Sequence, residues 1–256
     1  MQLLGTIDLT GLSRALQAEG VHPELVKTVG LAAAVGSIRD DLLDAATGLR
    51  LVDKFTTSEK SEADTVGRTD ASTIVGALFD HAIILYARAT TPKGERLSLI
   101  GTPKNPDDRA LHDEVLRLRS SVVAHFGRGD FVTEGPFYKE AVILNVFAVG
   151  TEQKHQVSVY TQRTANRVRF ARRLAVLIDH RLADVMERFE PLQISVRNSL
   201  DEALANDPDL FGRLAAYEFD IDGFFATKGF AEHYRQWVEK GGVSGRQTDA
   251  THIPPA

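Results

Sequence analysis

Two blocks of apolar residues at helical spacing, separated by a segment that no helix can cross, constrain this chain more than any other feature. In the first, from Ala71 to Thr90, Ile74, Leu78, Ala82, Leu85 and Ala89 form one stripe, with Asp70 or Ser72 available as a cap. In the second, opened by Asp107 or Asp108, Leu111, Val115, Leu118, Val122 and Phe126 recur every three or four positions, and Gly127 and Gly129 close it. Residues 91–107 between them carry three prolines and two glycines and must be loop. The two helices therefore fold back on one another, and the expected class is a mainly α antiparallel helical bundle.

The rest of the chain adds helices and one break in the pattern. Leu25, Val26, Val29 and Ala32 keep the helical period, which predicts two or three helices in the first fifty residues. Residues 52–70 are polar and weakly periodic and read as a surface loop. KEAVILNVFAV and QVSVYTQ are rich in β-branched and aromatic residues, so a β-hairpin insertion is expected over about 139–162, with GTEQK as its loop. A long helix is predicted over about 166–189, with Val168, Ala171, Leu174, Leu177 and Ile178 on its apolar side. Shorter helices follow near 199–206, 208–218 and 229–239, and residues 241–256 read as a flexible tail. No internal repeat or strong linker divides the chain, so residues 1–240 read as a single domain.

Composition narrows the function classes. At 43% hydrophobic and 25% charged residues the chain is an ordinary globular sequence. It has no cysteine, which excludes a disulfide framework, a thiolate zinc site and a cysteine nucleophile, and a reducing cytoplasmic setting is the simplest expectation. The amino terminus lacks a secretion signal, and the longest apolar runs, such as Ala82 to Ala87, fall far short of the roughly 18–20 residues a membrane span needs. A formal charge of −5 argues against indiscriminate coating of nucleic acid and leaves room for a local basic face. Walker-type, G-x-G-x-x-G and G-x-S-x-G motifs are all missing, which disfavours nucleotide hydrolases, dinucleotide enzymes and the common serine hydrolases.

Three groups of residues bear on chemistry. His180 and Asp184 lie one helical turn apart, and Asp220 and Asp222 flank an isoleucine, but neither pair has a third ligand indicated by spacing, so surface pairing and turn formation explain them better than a metal. The basic run RTANRVRFARR places Arg169, Arg172 and Arg173 on one helix face, where they would hold a phosphate backbone or, more simply, balance acids elsewhere. Near a helix amino end such cations call for an anionic partner. The third group lies in LHDEVLRLRSSVVAHFGRGD, residues 111–130, where Arg119 precedes His125 by five intervening residues at the end of a helix.

Residues 70–130 resemble the HEPN family, whose R-x4-6-H motif sits on the second helix of an antiparallel pair. Arg119 and His125 match the motif, HAIILYARA with Arg88 matches the look of the first helix, and Ser120 stands where the family commonly has asparagine. The resemblance implies a homodimer in which arginine and histidine of both protomers line a shared cleft and cleave RNA without metal or other cofactor. Arg119 would stabilise charge on the phosphoryl oxygens and His125 would move the proton, with Arg88, Ser120, Arg169, Arg172 and Arg173 as further RNA contacts. A toxin or defence role, with a protein antitoxin as partner, belongs to the same expectation. The alternative is a non-catalytic module binding RNA, a nucleotide or a protein in that cleft. Six residues of ideal helix turn about 600° and rise about 9 Å, which sets the two side chains about 120° apart around the axis. Either the helix ends before His125, or the second protomer completes the site. Without the resemblance, the same two residues read as a solvated charge and a helix-end histidine.

Overall fold

The computed structural model describes residues 5–58, 65–91, 100–123, 131–132, 135, 137–149, 152–163, 168–225 and 228–240. Among them the chain forms eight α-helices and one β-hairpin, the mainly helical bundle with a hairpin insertion that the periodicity calls for. No helix among the described residues is long and apolar enough to cross a membrane. The chain divides into two compact units, one of residues 1–34 and 189–256, the other of residues 35–188.

In the first unit, α1 (Leu9–Glu19) starts at Asp8, whose carboxylate accepts from the Thr10 backbone N–H at 2.9 Å, and stops at Gly20 in the left-handed region, φ 72°. Leu12 and Leu16 of α1 meet Leu25 and Val29 of α2 (Pro23–Ser58) and Ala203 of α5 (Val168–Asn206). Leu210 of α6 (Asp209–Leu214) closes this core. Arg213 forks onto Glu19 at 2.9 and 2.7 Å, and His22 meets Asp207 at 3.1 Å. Beyond a 3₁₀ turn, α7 (Ile221–Phe225) and α8 (Lys228–Glu239) bring Phe219, Phe224, Phe225, Tyr234 and Trp237 into a chain of ring contacts.

In the second unit, α2 contributes a buried stripe of Val35, Ile38, Leu42, Ala45, Leu49 and Val52, spaced three and four apart. The facing stripe of α3 (Thr65–Thr90) is Val75, Phe79, Ala82, Tyr86 and Ala89. Three of its five positions lie one residue beyond the expected Ile74, Leu78 and Leu85, because the stripe is set by the two large rings, Phe79 and Tyr86; Ile74 is exposed and Leu78 half-buried, while Leu85 is buried as expected. α4 (Pro106–Leu118) buries Leu111, Val115 and Leu118, and α5 buries Phe170, Leu174, Leu177 and Ile178. Phe79, Phe137 and Phe170 stack and cross at 5.7 to 6.4 Å, anchoring the base of the hairpin formed by β1 (Tyr138–Val149) and β2 (Glu152–Arg163). Arg173–Glu114 at 3.3 Å and His180–Asp108 at 2.8 Å run α5 antiparallel to α4.

Several boundaries differ from the sequence expectation. The loop read over 52–70 is helical at both ends: α2 runs to Ser58 and α3 begins at Thr65. Thr56 and Thr57 stay in the helix by donating their hydroxyls to the carbonyls of Val52 and Asp53, each at 2.8 Å, so their polarity is satisfied without a turn. Helices predicted to end near 189 and restart near 199 are one helix, α5, running through Pro191. Pro191 and Glu187, whose carbonyl loses its partner, are both exposed, where solvent is at hand to meet that carbonyl. α7 was not predicted, and the tail at 241–256 lies outside the described residues.

Candidate functional site

The site is built on α4. Asn105 caps it by accepting from the Asp107 backbone N–H at 2.8 Å, Pro106 supplies the first helical φ, and Asp107 and Asp108 complement the positive end of the helix dipole. After Leu118 the α-helix widens into a π turn over Arg119–Val123. Ser120 and Ser121 both donate their hydroxyls to the Arg117 carbonyl, at 3.0 and 2.6 Å, which crowds the acceptor that an α-helical N–H would use. Single π turns of this kind occur often at functional sites.

Arg119 opens that π turn. Its side chain is exposed, and among the described residues it has no hydrogen-bond or ion-pair partner. Ser120 beside it is exposed as well. His125 lies outside the described residues, as do Gly127 and Gly129, so the chain is described on the arginine side of the motif only.

The other arginines singled out in the sequence divide into two kinds. Arg88 forks onto the buried carboxylate of Asp41, with Nε and Nη2 at 2.8 and 2.5 Å, and that hydrogen bond holds its guanidinium above its ordinary pKa. Arg172 pairs with Asp53 at 3.0 Å and Arg173 with Glu114 at 3.3 Å, so for two of the three arginines on this face the anionic partner is a carboxylate of the same unit. Arg169 is exposed, without a carboxylate partner among the described residues.

Behind α4 lies a polar cluster that the sequence reading missed. His112, 5% exposed, meets the hydroxyl of fully buried Tyr86 at 2.9 Å through Nδ1. Burial pushes the His112 pKa down, and the cation of Arg181 adds to this against the opposing charge of Asp113. Burial likewise pushes the Tyr86 phenol up. Both shifts favour the neutral forms, and the tautomer of His112 decides which of the two supplies the proton of this bond. Arg181, 2% exposed, donates through Nη2 to the carbonyls of Ile100 and Gly101 at 2.8 and 2.7 Å, and through Nη1 to Asp184 at 2.6 Å. Among the described residues its Nε has no partner. Gly101 sits at φ +61°, a conformation that turns the chain toward α4 and suits glycine. Arg181 thus ties the lead-in of α4 to α5, and Tyr86–His112 ties α4 to α3. Their only mark in the sequence is their place in the buried stripes, His112 three residues before Val115 and Arg181 three after Ile178.

The weaker candidates have local partners. His180 meets Asp108, and Asp184 meets Arg181, so that pair is not aimed at one point. In the first unit Asp220 accepts from the Gly223 backbone N–H at 2.9 Å, Asp222 pairs with Arg235 at 2.8 Å, and both line an open cleft of about 530 Å³. Among the described residues no group of three or more histidines and carboxylates is placed to hold a metal ion. Compared with known proteins, the chain matches no family model, no curated protein and no solved structure.

Proposed function

We propose that this protein is a HEPN-like endoribonuclease that needs no metal, acting as a dimer in a toxin or defence setting, with Arg119 and His125 as its chemical groups. The observation that carries the reading is the state of Arg119. Arg88, Arg172, Arg173 and Arg181 are each engaged by a carboxylate, whereas Arg119 stands exposed at a π turn with none among the described residues. A guanidinium left unneutralised on a well-anchored helix is suited to a phosphoryl group, which it meets with two parallel donors.

In this reading the His125 imidazole takes the proton of a ribose 2′-hydroxyl, and the 2′-oxygen attacks the adjacent phosphorus. The bond to the 5′-oxygen breaks, a proton is returned to that leaving oxygen, and a 2′,3′-cyclic phosphate remains. Arg119 stabilises the charge that builds on the non-bridging oxygens. Arg169 and Ser120 lie exposed and are available to the RNA strand, while Arg88 reaches it only beside its fork to Asp41.

Incubation of a labelled RNA pool with the protein in EDTA tests the proposal. Cleavage by the wild type, reduced roughly a hundredfold or more in Arg119→Ala at unchanged circular dichroism, is the expected result. The charge of −5 and Ser120 in place of asparagine favour a second reading, a binding-only module. Saturable RNA binding lost in Arg119→Ala, with no turnover by the wild type, would select it.

A further inference from the structure

The hairpin carries an apolar face that stays exposed among the described residues. Strand register puts Val142 opposite Val159, Leu144 opposite Val157 and Val146 opposite His155, so five aliphatic side chains share one face. Each of the five is between 55% and 75% exposed. The opposite face alternates differently: Ile143 and Phe147 are interrupted by Asn145, Gln156 and Lys154, and Asn145 donates to Ser158 at 2.7 Å. The opposite face also exposes Ile143, Phe147 and Tyr160, but polar side chains separate them, whereas the aliphatic stripe of the first face is continuous.

Strand physics makes the exposure costly to leave. A two-stranded ribbon is marginal in water unless a third strand or another surface packs on it. Each of these strands has the other as its one extensive packing partner among the described residues, with Phe137 anchoring only the base. The five aliphatics expose on the order of 500 Å² of apolar surface, near the top of what a monomer normally shows. With flanking Thr161, His155 and Gln153, all exposed, the face supplies a large part of the roughly 800 Å² that one partner gives to a standard interface.

We infer that this face is where a second copy of the chain docks, hairpin against hairpin. The shape of the stripe argues for a like partner. It holds no lysine, arginine or carboxylate between Val142 and Val146, and it is nearly symmetric about the Leu144–Val157 pair, with Val142 and Val159 on one side and Val146 and His155 on the other. A two-fold rotation therefore lays the stripe on itself and buries no fixed charge, as an isologous interface requires. The inference does not rest on the RNA chemistry.

Analytical ultracentrifugation over a concentration series tests it, using the full chain. The wild type is expected to sediment as a dimer, and Leu144→Glu and Val157→Glu as monomers with unchanged circular dichroism. Tyr160→Glu, on the other face, is expected to remain dimeric. Because the chain has no cysteine, Leu144→Cys carries a single thiol, and a short thiol-reactive bifunctional reagent should join it to its copy. A monomeric wild type, or a dimer that survives both glutamate substitutions, would overturn the inference. If the glutamate variants fail to fold, absence of the Leu144→Cys cross-link overturns it alone.

Discussion

Replacing Arg181 by methionine should destabilise the protein by about 3 kcal/mol. Two carbonyls lose their donor: that of Ile100 is buried and takes the full cost of an unmet acceptor, roughly 2 kcal/mol, whereas that of Gly101 is reached partly by water and costs roughly 1 kcal/mol. The Asp184 pair adds about 1 kcal/mol at most, because that carboxylate is half exposed. Relief from burying a cation whose Nε has no partner among the described residues returns about 1 kcal/mol. For a chain of this size the loss corresponds to a melting point lower by roughly 6–12 °C. Urea unfolding followed by far-ultraviolet circular dichroism measures it, with Arg188→Met, an exposed arginine of the same helix, as a control expected to change stability by less than about 0.5 kcal/mol. If Arg181→Met matches the wild type within about 0.5 kcal/mol, the tie between α5 and the lead-in of α4 is not what holds α4 in place.

Other predictions follow from the same cluster and its neighbours. Since burial lowers the His112 pKa in the fold, the unfolded chain takes up the proton first on acidification. The contribution of neutral His112 is then complete above the ordinary histidine value near 6.5 and is lost as pH falls below it. The urea midpoint of the wild type should therefore drop more steeply between about pH 7.5 and 5.5 than that of His112→Gln; equal slopes would show that His112 is not held neutral. Arg88→Ala strips the guanidinium fork from buried Asp41 and should cost about 2 kcal/mol, less than a fully buried pair because Arg88 is half exposed. Adding Asp41→Asn should recover part of that loss, and a double variant as unstable as the sum of the singles would argue against the pairing. Arg119→Ala, at an exposed side chain without a partner among the described residues, should leave stability within about 0.5 kcal/mol, so that any loss of RNA cleavage is chemical.

Much of the fold was legible because the helices bury one stripe at regular spacing. Leu111, Val115 and Leu118 gave α4, and Ala171, Leu174, Leu177 and Ile178 gave the first half of α5. The hairpin showed in its β-branched runs, which the register then set residue by residue. Boundaries failed where a polar residue satisfied itself inside a helix: Thr56 and Thr57 bond back to their own helix, and Pro191 faces water. The division into two units left no composition signal, because α2 and α5 contribute residues to both. At the candidate site, the motif singled out Arg119 and the structure adds its exposure, but the groups supporting α4 were not marked. His112 and Arg181 are polar residues in buried positions, and pattern reading assigns such residues to the surface unless a partner is known. The π turn also escaped, because it depends on two serine hydroxyls meeting one carbonyl, a local competition that hydrophobic spacing does not record.

The central claim, that the protein breaks RNA through the ribose 2′-hydroxyl, is tested most directly by matched substrates. A labelled RNA and the same sequence with 2′-deoxyribose throughout are incubated with wild type and His125→Ala in EDTA, and the new ends are analysed. The account predicts cleavage of the RNA alone, 2′,3′-cyclic phosphate ends, and no product from His125→Ala. Cleavage of the deoxy strand, or RNA products of wild type and His125→Ala at equal rates, would contradict it.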